Sequence, residues 1–97
     1  MNSEQENNRL DNLRGNWALS TDKKAITLKL KTRNFSESLQ LANGIGEISE
    51  RLNHHPDLAI GWGYCHVTYT THSTGQLSHL DFDCAEEIDS FIQTKEH

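Results

Sequence analysis

Between Ala25 and Ile92 the apolar residues alternate between two periods, and that alternation restricts the fold more than any other feature. "AITLKLK", Ala25–Lys31, switches between apolar and polar at each residue from Ile26, as a strand with one buried face does. "NFSESLQLANGIGEISERL" follows, with Phe35, Leu39 or Ala42, Ile45, Ile48 and Leu52 at helical spacing. Asn34 and Glu37 stand three apart, as an N-cap and its partner do. "GYCHVTYTTH", Gly63–His72, is rich in β-branched and aromatic residues and reads as a long strand. Its alternation puts Cys65, Val67, Tyr69 and Thr71 on one face and Tyr64, His66, Thr68, Thr70 and His72 on the other. In "SHLDFDCAEEIDSFIQ" the period is helical again. Ser78 and Asp81 have capping-box spacing, and Leu80 or Asp81, Cys84, Ala85, Ile88, Phe91 and Ile92 form the stripe.

Upstream the signals are weaker. Residues 1–8 are polar and expected to fray. Asn8–Leu13 reads as a short helix ended near Gly15, and Asn16–Ser20 as a short strand before the turn "STDKK". Strands broken by helices without a βαβ rhythm predict an α+β fold. The expectation is one small domain over residues 9–97, an antiparallel sheet of about four strands with three helices on one face. Gly44 and Gly46 cost the middle helix about 1 kcal/mol each relative to alanine. A close neighbour would justify them.

Composition narrows the function classes. A chain of 97 residues suits one domain, and 34% hydrophobic residues with a mean hydropathy of -0.73 make a small core that self-association would help. The net charge of -5, with no Lys/Arg run, argues against direct nucleic-acid binding. No apolar run approaches the ~20 residues of a membrane span. The N-terminus has no signal-peptide character. A cytoplasmic protein with Cys65 and Cys84 as reduced thiols is therefore expected.

The histidines are the anomaly. Of the six, four fall between His54 and His72, and "ERLNHHPDL" sets two of them directly before Pro56, the only proline. A residue before proline is pushed to extended backbone, where neighbouring side chains point opposite ways. His54 and His55 are thus expected to serve one site differently, with Glu50 close enough to orient an imidazole. His72 ends the long strand, where loops carry sites. For His66, His79 and His97 a plain surface role is expected. Paired cysteines and HExxH are absent, which ranks a metal site below a cofactor-free acid–base site. Spacing alone does not choose the reaction.

Glu50-x-x-x-His54-His55-Pro56, "VTYTTH" ending at His72 and "LSHLD" ending at Asp81 together resemble the pterin-4a-carbinolamine dehydratase family. The likeness runs from about Leu10 to Ile92 and takes in "LRGNW". The resemblance implies that His54, His55 and His72 line a pterin pocket and act as the catalytic histidines. It implies that Glu50 and Asp81 are its acidic groups, with Pro56, Trp17, Thr71, Ser73 and Thr74 as further substrate contacts. The implied reaction is dehydration of a 4a-hydroxytetrahydropterin without metal or other cofactor, in a homodimer or homotetramer. Some members of the family bind a homeodomain transcription factor or act as assembly chaperones. A non-catalytic interaction module is therefore the second expectation. Asp81 also has a purely structural reading as the capping partner of Ser78, and Trp17 has one as a core residue.

Overall fold

A computed structural model describes residues 1–95 of the chain, so His97 lies outside the described residues. The elements are α1 (Ser3–Asp11), β1 (Ala18–Leu19), β2 (Ile26–Lys31), α2 (Phe35–Leu52), β3 (Asp57–Gly61), β4 (Tyr64–Tyr69) and α3 (His79–Lys95). The strands form one antiparallel sheet in the order β1-β2-β4-β3. This is the expected α+β architecture of four strands and three helices.

Register follows the period-two pattern. Leu28 stands opposite Val67 and Leu30 opposite Cys65, while Leu58 and Ile60 face the same two β4 residues from the other side. Ile26, Leu28, Cys65, Val67 and Tyr69 thus share one face and are buried there. Ile45 and Ile48 of α2 and Phe82, Cys84, Ala85 and Ile88 of α3 complete the core, with Trp17 and Leu77. Thr27, Lys29, Tyr64, His66 and Thr68 lie on the open face, where Thr27 and Thr68 hydrogen-bond across strands (2.9 Å).

Local details refine these expectations. α1 starts at Ser3 rather than at Asn8, and Asn2 and Gln5 form a complete capping box at its start. The buried face of α2 is rotated from the predicted one. Ser38, Leu41, Ile45, Ile48 and Ser49 are buried, while Phe35 (47%) and Leu39 (44%) are exposed. In α3 the choice between Leu80 and Asp81 falls on Asp81: it is buried with the unexpected Phe82 beside Cys84, Ala85 and Ile88, and Leu80 is exposed. Gly44 does have its close neighbour, a side chain rather than a backbone. A Cβ there would fall 2.1 Å from the Phe91 ring of α3. Gly46 has nothing within 4 Å, and nothing in the structure explains it. Among the described residues no helix is long and apolar enough to cross a membrane.

Candidate active site

The site is built where α2 ends. Asn53 caps the helix in the left-handed region (φ 52°), which asparagine tolerates better than most residues. The turn carries the chain back so that the His54 N–H donates to the Ser49 carbonyl (3.0 Å). Pro56 follows, and β3 starts at Asp57. The adjacent imidazoles then part, as extended backbone requires.

His54 turns inward. Its Nε2 lies 2.6 Å from Oδ1 of Asp81, which is fully buried. Oδ2 of the same carboxylate accepts from the Thr71 hydroxyl (2.9 Å) and the Ser78 backbone N–H (2.9 Å). A carboxylate only accepts, so Nε2 of His54 carries a proton and donates it to Oδ1. Among the described residues no buried side-chain N or O lacks a partner, and Nδ1 has none, so it is not fully buried. Asp81 therefore fills both roles read from the sequence. It caps α3 through Ser78 and fixes the tautomer of an imidazole.

Below His54 lies a floor that the sequence did not mark as part of the site. The Tyr69 ring stacks on the imidazole, centroids 5.8 Å apart and planes 12° from parallel. The Ser49 hydroxyl donates to the Ile45 carbonyl (2.8 Å), so the Tyr69 hydroxyl donates to Ser49 (2.6 Å). Burial pushes the Tyr69 phenol well above its ordinary range and keeps it a donor. Cys84 lies beside them, its Sγ 3.9 Å from the His54 carbonyl. Burial raises its thiol to about 11, so it stays neutral at physiological pH. Only the inward parity of Tyr69 on β4 hinted at this floor.

His55 turns outward. Its Nε2 pairs with the Glu50 carboxylate, and both side chains are solvent-exposed. Glu50 therefore orients the second histidine rather than the one four residues along. His72 is exposed just beyond β4 and has no partner among the described residues. Its neighbour Thr71 ties that loop to the site through Asp81, and the Thr71 carbonyl accepts from Thr74 N (3.2 Å) and Gly75 N (2.9 Å). Ser73 and Thr74 are exposed in this loop.

Trp17 sits elsewhere, 7% exposed in the core. Its Nε1 donates to Asp89 (2.9 Å), and it approaches the site only through Tyr69, 6.3 Å away. His66 lies on the open sheet face against Tyr64 (4.9 Å). The exposed His79 contacts Arg9 (2.9 Å). Among the described residues no three of His, Cys, Asp and Glu are grouped to hold a metal ion.

Fold and site together define a class: a small α+β domain presenting two imidazole–carboxylate pairs at the junction of α2, β4 and α3. Comparison with known proteins gives the family. Residues 1–91 match the family described as pterin 4 alpha carbinolamine dehydratase, and the chain belongs to it. A Legionella pneumophila (strain Lens) protein provisionally named pterin-4-alpha-carbinolamine dehydratase is 40% identical over 92 residues, 95% of this chain and 81% of its own. A Paracoccus denitrificans relative with the same provisional name is 40% identical over 74 residues, 76% of this chain and 69% of its own. Among solved structures, a transcriptional coactivator/pterin dehydratase from Brucella melitensis superposes with a TM-score of 0.84 at 27% identity, covering 93% of this chain and 95% of its own. A pterin dehydratase-like RuBisCO assembly factor of the alpha-carboxysome shares the fold, with a TM-score of 0.66 at 14% identity over 79% of this chain and 89% of its own.

Proposed function

We propose that this protein dehydrates 4a-hydroxytetrahydropterins to quinonoid dihydropterin and water by histidine acid–base catalysis, in cytoplasmic tetrahydrobiopterin recycling. The observation that carries this reading is the division of the adjacent imidazoles. One is held from below by a buried carboxylate and the other is paired with an exposed one, in a chain of this family.

The substrate is a carbinolamine, with its hydroxyl on carbon 4a beside N5. A proton is delivered to the hydroxyl and the C4a–O bond breaks. N5 loses its proton as the C=N bond forms. There is no net redox change. His55 is the principal acid/base, since it reaches solvent and can exchange the proton it moves. Glu50 orients it. His54 presents a ring fixed by Asp81, and His72 follows Thr71, whose hydroxyl binds the same carboxylate. These two position the pterin or carry the second proton. Thr71, Ser73 and Thr74 shape the loop beside it, and Pro56 holds the backbone after the histidine pair.

The test is the decay of a 4a-hydroxytetrahydropterin generated in situ, with and without a chelator. Acceleration that survives the chelator is expected. His55→Ala and His72→Ala are expected to cut the rate by about 100- to 10,000-fold, and His66→Ala to leave it near wild type. Equal damage from His66→Ala with the fold intact would misplace the site. Loss to chelator with rescue by zinc would replace the mechanism with a metal-dependent one. No acceleration over buffer would transfer the fold to the interaction-module reading. Self-association belongs to the same proposal, because Phe35, Leu39, Leu58 and Trp62 are exposed apolar residues that a second copy would cover. Sedimentation showing only monomer at micromolar concentration would remove that part.

A further inference from the structure

β1 pairs with β2 only at Ile26 and Thr27, while β2 continues to Lys31, paired with β4 on its other side. The outer edge of β2 is therefore open from Leu28 to Lys31. Hydrogen bonds at the two ends show which groups face outward. The Ser20 N–H donates to the Ala25 carbonyl on the β1 side (2.9 Å), and the Thr32 N–H donates to the Gly63 carbonyl on the β4 side (3.0 Å). Backbone direction alternates along a strand, so the N–H and C=O groups of Lys29 and Lys31 face the open edge.

A groove runs beside that edge. Arg14 to Asn16 stand off from β2 and leave a cleft of about 290 Å³, with Leu28, Leu30 and Ile92 among its walls. A second cleft of about 260 Å³, reaching Leu41, adjoins it through the shared Leu30 and Ile92. The floor is apolar, and the rim carries four cations, Arg14, Lys29, Lys31 and Arg33, against two acids: Glu37, bound to Arg33, and Asp89, whose carboxylate accepts from the Arg14 and Gly15 backbone N–H groups and from Trp17. Arg33 is bound to Glu37 (2.8 Å) and Arg14 to Gln93, while Lys29 and Lys31 have no acidic partner among the described residues. These cations gather on one edge of a protein whose net charge is -5.

We propose that the open edge of β2 docks an extended acidic segment of a partner protein, added to the sheet as a further strand. A second copy of this chain fits poorly there, because two-fold pairing would set Lys29 and Lys31 against their own counterparts. An acidic strand turns the same charges to advantage. Residues opposite Leu28 and Leu30 would point to the apolar floor, and those opposite Lys29 and Lys31 to the cationic face. The recognised pattern is acidic residues alternating with apolar ones. The groove is separate from the histidines, since β2 pairs with the far end of β4 at Lys31 and with the site end at Ile26. It stands independently of the dehydratase reading.

The test uses the whole protein and a labelled, end-blocked peptide Asp-Val-Glu-Val-Asp-Val. Binding is expected to weaken with added salt and to protect the amides of Lys29 and Lys31 from hydrogen exchange. The double variant Lys29→Glu, Lys31→Glu changes two exposed side chains, so its fold is expected to survive, which circular dichroism checks. It should bind at least about tenfold more weakly and should instead take the lysine-substituted peptide. Three results overturn the proposal: no binding at millimolar peptide, equal binding of a peptide with its acids bunched together, or protection falling on β3. Concentration-dependent protection of Lys29 and Lys31 without peptide also overturns it, by assigning the edge to a second copy.

Discussion

At the scale of the residue, Asp81 faces three donors with one carboxylate: the Thr71 hydroxyl, the Ser78 N–H and His54 Nε2. Asp81→Asn keeps the shape but replaces one accepting oxygen with an N–H2 group. Turned to His54, that group requires Nε2 to accept, and the imidazole proton moves to Nδ1. Nitrogen-15 ring spectra of the variant should show the Nδ1–H tautomer where the wild type shows Nε2–H. Stability should fall by about 1–3 kcal/mol, the cost of a buried donor left unmade or poorly made. An unchanged tautomer would mean that Asp81 caps α3 and does nothing for the imidazole. The tautomer is measured without substrate, so this outcome does not depend on the dehydratase reading.

At the scale of the element, the two glycines of α2 are opposite cases. Phe91 of α3 lies directly over Gly44, so Gly44→Ala drives a methyl into an aromatic ring that the α2–α3 contact holds in place. A loss of about 1–3 kcal/mol is expected. Gly46 has open space around its Cβ position, and Gly46→Ala should gain roughly 0.5–1 kcal/mol from helix propensity alone. Urea denaturation of the two variants beside wild type measures both. Equal shifts of the same sign would show that the helix crossing is looser than the ring contact requires.

At the scale of the whole molecule, the core holds three groups whose neutral form the fold protects. Burial raises the thiol of Cys84 to about 11 from its ordinary 9.0, and it shifts the Cys65 thiol and the Tyr69 phenol upward as well. The folded state thus retains protons that the unfolded chain gives up. Their contribution to stability is complete below pH 9.0 and is lost as pH rises toward about 11. Urea midpoints should fall across that window, and Cys84→Ala should flatten part of the fall. A wild-type midpoint that stays constant through it would contradict the buried, proton-retaining core.

The period-two and period-3.6 patterns specified the strands β2 and β4 and the helices α2 and α3, because such preferences arise within a few neighbouring residues. The chain also named the candidate site residues through His54-His55-Pro56 and His72. It did not specify which face of α2 would be buried. Leu41 stands at helical spacing from Ile45 and Ile48, as Leu39 does from Phe35, and only tertiary packing selects Leu41. β3 was likewise indistinct: none of its residues is buried, and it is a strand because it pairs with β4. The site's pairings were least legible. His54 meets a carboxylate 27 residues away and stacks on Tyr69, while its neighbour meets Glu50. Sequence spacing sets which residues can be near one another locally. The left-handed turn at Asn53 and the docking of α3 against β4 decide which imidazole faces which carboxylate, because those distances exist only once the sheet and helices have packed.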